Sequence, residues 1–188
     1  MRDNFIFIGD SLTFGYGVKK SDCWINKISS LSNFNIINKG VNGSTTTDML
    51  VRFDNDVIAF SPKEVFIMGG TNDLLCNRSI NSIIENIKLM IIDLKAINST
   101  IIIGLPPDII VEDAYNLFME SHTYDYCKNS LPLLRKELIA LCKSYNCNYI
   151  DFYTLTNNNL NNNIYLDGIH LNPTGHELML KEFLKKKC

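Results

Sequence analysis

The chain is poor in the features that mark several classes of protein. It has no excess of positive charge: 18 Lys and Arg stand against 20 Asp and Glu, a formal net charge of −2. Without a basic patch, nucleic acid and anionic membrane surfaces are disfavoured as partners. No apolar run approaches the ~20 residues of a membrane span. The opening stretch MRDNFIFIGDS has too short an apolar run for a secretory signal and lacks a small-residue cleavage site. A soluble, cytoplasmic chain is expected, and a secreted one with its signal removed would read alike. No C-x-x-C pair occurs among Cys23, Cys76, Cys127, Cys142, Cys147 and Cys188. A chain of this size needs no disulfide framework, so reduced thiols in or near the core are expected. Linkers, composition breaks and internal repeats are missing too. With 188 residues, 46% hydrophobic and 20% charged, one globular domain spanning 1–188 is expected. Histidine is scarce, present only as His122, His170 and His176.

What the chain does have is a series of short apolar runs: NFIFIG, FNIIN, EVFIMG, TIIIGL and NYIDF. Each is β-branched or aromatic-rich and ends at Gly, Asn or a polar loop, which favours strands over helices. Amphipathic stretches of helical period lie between them, over 22–32, 79–97, 128–145 and 173–187. The last opens with Pro173, a good first-turn residue. NNNLNNN (157–163) reads as a polar loop within the general Asn richness. Strands alternating with helices predict a parallel sheet covered on both faces, a five-stranded three-layer α/β/α domain.

In such sheets ligands bind beyond the carboxyl ends of the strands, so functional residues should follow several strands directly. The unusual residues do. GDSLTFG follows the first strand, NKGVNGSTT (38–46) the second, GGTND (69–73) the third, and YLDGIHLNPTGH (165–176) the last.

Serine is a poor nucleophile unless a base takes its proton as it attacks, and histidine is the usual base near neutral pH. His122 falls in an expected loop and His176 inside an expected helix. His170 lies in a turn, with Asp167 three residues earlier. A D-x-x-H turn can fold the carboxylate against the imidazole, fixing its tautomer and steadying the cation that forms. Ser11, His170 and Asp167 are therefore candidate nucleophile, base and orienter. Acyl transfer also needs donors aimed at the developing oxyanion. Gly43 offers an unobstructed backbone N–H, Asn72 a side-chain amide, and Ser11 its own N–H. Each piece also has a bland use: Ser11 as a helix cap, Gly43 and Asn72 as turn residues, Asp167 and His170 as a turn and a helix-start partner. Their joint placement on one sheet edge favours chemistry. A phosphate cradle would need G-x-x-x-x-G-K-[ST], a spacing GDSLTFGYGVKK lacks.

Taken together, GDSLTFG, GVNGSTT, GGTND and DGIHLNPTGH resemble the four blocks of the GDSL, or SGNH, hydrolase family of esterases and acylhydrolases, in order, from residue 5 to about 176. The resemblance implies a flavodoxin-like sheet with nucleophile Ser11, oxyanion donors Gly43 and Asn72, base His170 and acid Asp167. Gly40 lies in the same block as Gly43, but the family's donor matches the later glycine. The resemblance also implies no metal and no organic cofactor. Asp10 and Asp73 match family positions and are expected to brace turns through backbone N–H groups. Thr46 is expected to help hold the second-block loop.

The expected activity is two-step acyl transfer on a small-molecule ester, rising as His170 loses its proton. The stretch 106–127 is expected either to wall the site with Ile109, Ile110, Tyr115, Phe118 and Met119, or to pack a loop onto the sheet. Glu112, Asp113 and Glu120 would suit sugar hydroxyls. With no long greasy run, short-acyl esters are favoured. A lysophospholipase or thioesterase and a carbohydrate acetylesterase are the alternatives within the class. A flavodoxin-like binding protein is the alternative outside it. Oligomeric state leaves no signal in the sequence.

Overall fold

The structure, a computed structural model, describes residues 2–187; Met1 and the sixth cysteine, Cys188, lie outside them. Strand β1 (Asn4–Gly9) leads into a one-turn helix α1 (Ser11–Phe14) and then α2 (Trp24–Leu31). β2 (Asn35–Gly40) is followed by α3 (Thr46–Val51) and α4 (Phe53–Asp56), and β3 (Glu64–Met68) by α5 (Thr71–Leu75) and α6 (Ile80–Ala96). β4 (Thr100–Leu105) precedes α7 (Val111–Leu117) and α8 (His122–Tyr145). β5 (Asn148–Asp151) precedes α9 (Phe152–Asn157) and α10 (Pro173–Lys187).

All neighbouring strands pair parallel in the order β2-β1-β3-β4-β5, the flavodoxin-like order. Helices cover both faces, as the alternation of strands and helices predicts. The FIFI run of β1 shows why. Phe5 and Phe7 project to one face, Ile6 and Ile8 to the other, and all four are fully buried, as a strand covered on both sides requires. On the Ile face lies an aliphatic layer in which Val65 and Ile67 meet Met49, Ile87, Met90 and Leu134. On the Phe face lies an aromatic layer of Phe5, Phe7, Phe66, Trp24, Phe152 and Phe183. Trp24 sits edge-on to Phe7, Phe66 and Phe152 at 5.4–5.6 Å between ring centroids, a favoured aromatic geometry. Truncating so central a side chain to alanine typically costs ~3–5 kcal/mol.

The strand register sets up the site. Gly9, at the end of β1, pairs with Gly40 of β2 on one side and Met68 of β3 on the other. Three chain segments therefore leave the sheet at one level, around the point where strand order reverses on either side of β1.

One helix begins earlier than its apolar period suggests. α8 starts at His122, not 128, because Ser121 caps it by accepting from the Thr123 N–H; His122 is thus the first residue of a helix and not a loop residue. Among the described residues Cys23, Cys76, Cys127, Cys142 and Cys147 are free thiols. No helix of the described residues is long and apolar enough to cross a membrane.

Candidate active site

Ser11 is the first residue of α1. Asp10 caps that turn, its side chain accepting from Leu12 N–H at 2.9 Å, and the turn closes when Gly15 N–H donates to Ser11 O. From the aromatic layer, Trp24 Nε1 donates to Leu12 O at 3.1 Å. The serine is thereby held from both sides of its turn, and its side chain is nearly buried. Its backbone N–H belongs to the first turn, which has no intrahelical acceptor.

The last block folds as a tight loop. Tyr165 and Leu171 form an antiparallel bridge, Leu166 N–H donates to His170 O at 2.8 Å, and Gly168 at φ 82° turns the chain. Inside the loop, one oxygen of Asp167 accepts the backbone N–H groups of Ile169 and His170 at 3.0 and 2.6 Å. The other lies 2.6 Å from His170 Nδ1. This leaves Nε2 facing outward, 2.8 Å from Ser11 Oγ, although 159 residues separate the two in sequence. Burial alone would raise the Asp167 carboxyl. The hydrogen bonds from the His170 ring, its N–H and that of Ile169 outweigh this, and hold the group below the usual carboxylate range.

The second and third blocks meet beside this pair. Val41 N–H donates to Gly9 O at 3.0 Å, tying the loop after β2 to the strand that delivers Ser11. Gly43 adopts φ +74° with open space where a side chain would stand. Asn72 donates one amide N–H to Ser44 O at 3.1 Å, which orients the amide and leaves its second N–H free to donate. Thr46 donates from both N–H and Oγ1 to the two carboxylate oxygens of Asp73, each at 2.8 Å. Burial raises the Asp73 carboxyl despite these bonds, and burial likewise pushes Asp10 up to about 6.

The stretch after β4 divides in two. Ile109, Val111 and Ala114 are buried in the aliphatic layer, whereas Phe118 and Met119 are exposed. Ile110 N–H donates to Gly168 O at 2.7 Å. A Cβ at Gly168 would lie 2.4 Å from Ile110 O, so only glycine lets the two segments approach this closely.

Several supporting residues escape sequence reasoning. The buried Asp108 pairs with Lys128 Nζ at 2.6 Å and accepts from Ile109 N–H, while its carbonyl accepts the Tyr165 hydroxyl. Arg52 donates to the carbonyls of both Gly9 and Lys39, clamping the ends of β1 and β2. Tyr16 lies against the His170 ring at 4.4 Å between centroids. Only Tyr16 carries a local signal, its place between the two glycines of GYG. The others follow no periodic or turn motif.

Comparison with known proteins places the chain. Its fold matches that of a lipolytic protein of the G-D-S-L family from Veillonella parvula with TM-score 0.81 at 25% identity, over 97% of this chain and 96% of that one. The sequence pattern described as the GDSL-like lipase/acylhydrolase family matches residues 7–178. The chain belongs to that family and is a carboxylic ester hydrolase, which decides against the flavodoxin-like binding protein. An acetylxylan esterase of Geobacillus stearothermophilus is 21% identical over 80% of this chain and 71% of that protein. The uncharacterized lipoprotein YqeF of Bacillus subtilis is 38% identical over a shorter stretch, 38% of this chain. That match spans about a third of YqeF, 32% of its length.

Proposed function

We propose that the chain hydrolyses short-acyl esters through an acyl-serine intermediate on Ser11. Ser11 Oγ attacks the ester carbonyl carbon as His170 Nε2 takes its proton, and Asp167 holds the imidazole and steadies its cation. The carbonyl oxygen, now charged, rests on the N–H groups of Ser11 and Gly43 and the free amide N–H of Asn72. Collapse breaks the bond to the alcohol, which leaves with the proton from His170. Water then repeats the sequence and frees the acid. The observation that carries this reading is the unbroken line from Asp167 through His170 to Ser11, at 2.6 and 2.8 Å.

The short-acyl preference is supported by the sequence, which has no long apolar run to wall an acyl channel. Labelling with a fluorophosphonate, native against Ser11→Ala, tests the nucleophile: the label should vanish in the variant. A series of nitrophenyl esters tests the acyl preference, with acetyl or butyryl as the expected optimum. An optimum at octanoyl or longer would favour a lysophospholipase or thioesterase instead. A second reading, deacetylation of a carbohydrate, is supported by the likeness to the acetylxylan esterase. Acetylated sugars belong in the same panel, beside acyl-CoA and lysophospholipids.

A further inference from the structure

We propose that Tyr16 forms the platform for the alcohol half of the ester, and that it selects a pyranose ring there. This rests on the reading of His170 as the base. In that reading the departing alcohol oxygen must come within about 3 Å of His170 Nε2 to take its proton. In the same reading the carbonyl oxygen is committed to the N–H groups of Ser11, Gly43 and Asn72 and not to His170. The alcohol therefore sits on the His170 side, and what borders His170 decides which alcohol fits.

Tyr16 borders it ring against ring. Its ring centroid is 4.4 Å from that of the imidazole, tilted 42°, and the residue is 42% exposed. One part of the ring covers His170 and the rest faces solvent. The backbone holds it there, because Tyr16 N–H donates to Ser11 O at 3.0 Å. Leu166 extends the shelf. Its Cδ2 lies where a side chain at Gly17 would stand, at 2.2 Å from that position, and the residue is 49% exposed. Across the same loop Asp113, an exposed carboxylate, has its Cβ against Gly168, 2.9 Å from where a side chain there would begin. A flat aromatic and apolar shelf with a carboxylate at its edge suits a molecule with one C–H face and a rim of hydroxyls. A pyranose ring has that form, whereas a linear alcohol gains little from either feature.

The test holds the acyl group constant and changes the alcohol. Acetylated methyl pyranosides and the acetate of a linear ether alcohol are compared across native, Tyr16→Ala, Tyr16→Phe and Ser11→Ala proteins. Tyr16→Ala should lower kcat/KM for the pyranoside about five- to tenfold, the scale of one lost ring contact, mostly through KM. The linear acetate should lose markedly less than the pyranoside, and Tyr16→Phe should restore most of the loss on both. The deacetylated pyranoside, as a competitive inhibitor, should lose the same factor in Ki. An equal loss in kcat on both acetates would overturn the platform, leaving Tyr16 as a support for His170. No change on either would overturn it as well. Retained activity in Ser11→Ala would instead overturn the acyl-serine reading underneath, and the platform with it.

Discussion

Thr46 and Asp73 clasp each other twice, N–H and hydroxyl of one to the two carboxylate oxygens of the other, each at 2.8 Å. The clasp joins the start of α3 to α5, so it fixes the distance between the Gly43 loop and Asn72. Both residues are fully buried, where an unmatched donor is costly. Asp73→Ala should lower unfolding free energy by about 2 to 3 kcal/mol and Thr46→Val by about 1 kcal/mol. Because the two share one contact, the double variant should lose less than the sum. Strict additivity in urea unfolding would mean that the clasp does not act as a unit.

The proposed oxyanion donors can be separated by what each substitution leaves behind. Asn72→Ala removes a donor and should lower kcat about 10²- to 10³-fold with little change in KM. Gly43→Ala meets no steric obstacle but must hold a left-handed φ, so its effect should come from a displaced N–H and a stability loss near 1 kcal/mol. A Gly43→Ala protein with normal kcat would remove that N–H from the proposed hole.

Asp10 gives a dependence of stability on pH. Burial raises its carboxyl to about 6, so the folded state holds the proton more tightly than the unfolded chain does. Its contribution is fully present below the ordinary carboxylate range and is lost as pH rises through about 6. Asp10→Asn keeps an oxygen for the Leu12 N–H, and should be more stable than the native protein at neutral pH, on the order of 2 kcal/mol. The difference should shrink below pH ~4. A difference that stays constant from pH 4 to 8 would contradict this.

His176 acts in the opposite sense. Burial, assisted by the Lys27 cation, lowers its pKa to about 4, and its Nδ1 faces the Trp24 N–H at 3.5 Å. The folded state excludes a proton that the unfolded chain takes up near pH ~6.5. This contribution is present above that pH and lost as pH falls through about 4, on the order of 3 kcal/mol in all. It opposes the Asp10 effect, so the native curve should be flatter than either component. His176→Gln should remove the acid loss and reveal the Asp10 slope, as measured by thermal unfolding across that range.

The parts of this molecule legible in its sequence are those with a repeating signal. All five strands fall on the apolar runs; in β1 and β3 every position after the first, Asn4 or Glu64, is apolar or glycine and buried. The long helices α6 and α10 match their apolar period within a residue. The early start of α8 does not, because it comes from a single cap at Ser121. The short helices α3, α5 and α9 have too few turns to show a period. Ser11, Gly43, Asn72 and His170 stand out because glycine and hydroxyl residues interrupt apolar runs there. Asp108 and Arg52 are silent in the sequence because their partners are set by tertiary folding. Arg52 reaches the carbonyl of Gly9, 43 residues away.

The seat of Gly168 against Ile110 and Ala114 has a consequence for how such a protein can diverge. The loop bearing Asp167 and His170 has no tolerance for a bulkier neighbour on that side, so the stretch after β4 cannot be remodelled by itself. A chimera that imports a foreign 106–121 region should work only when the donor's own D-G-I-H loop travels with it. The two behave as one exchangeable cassette.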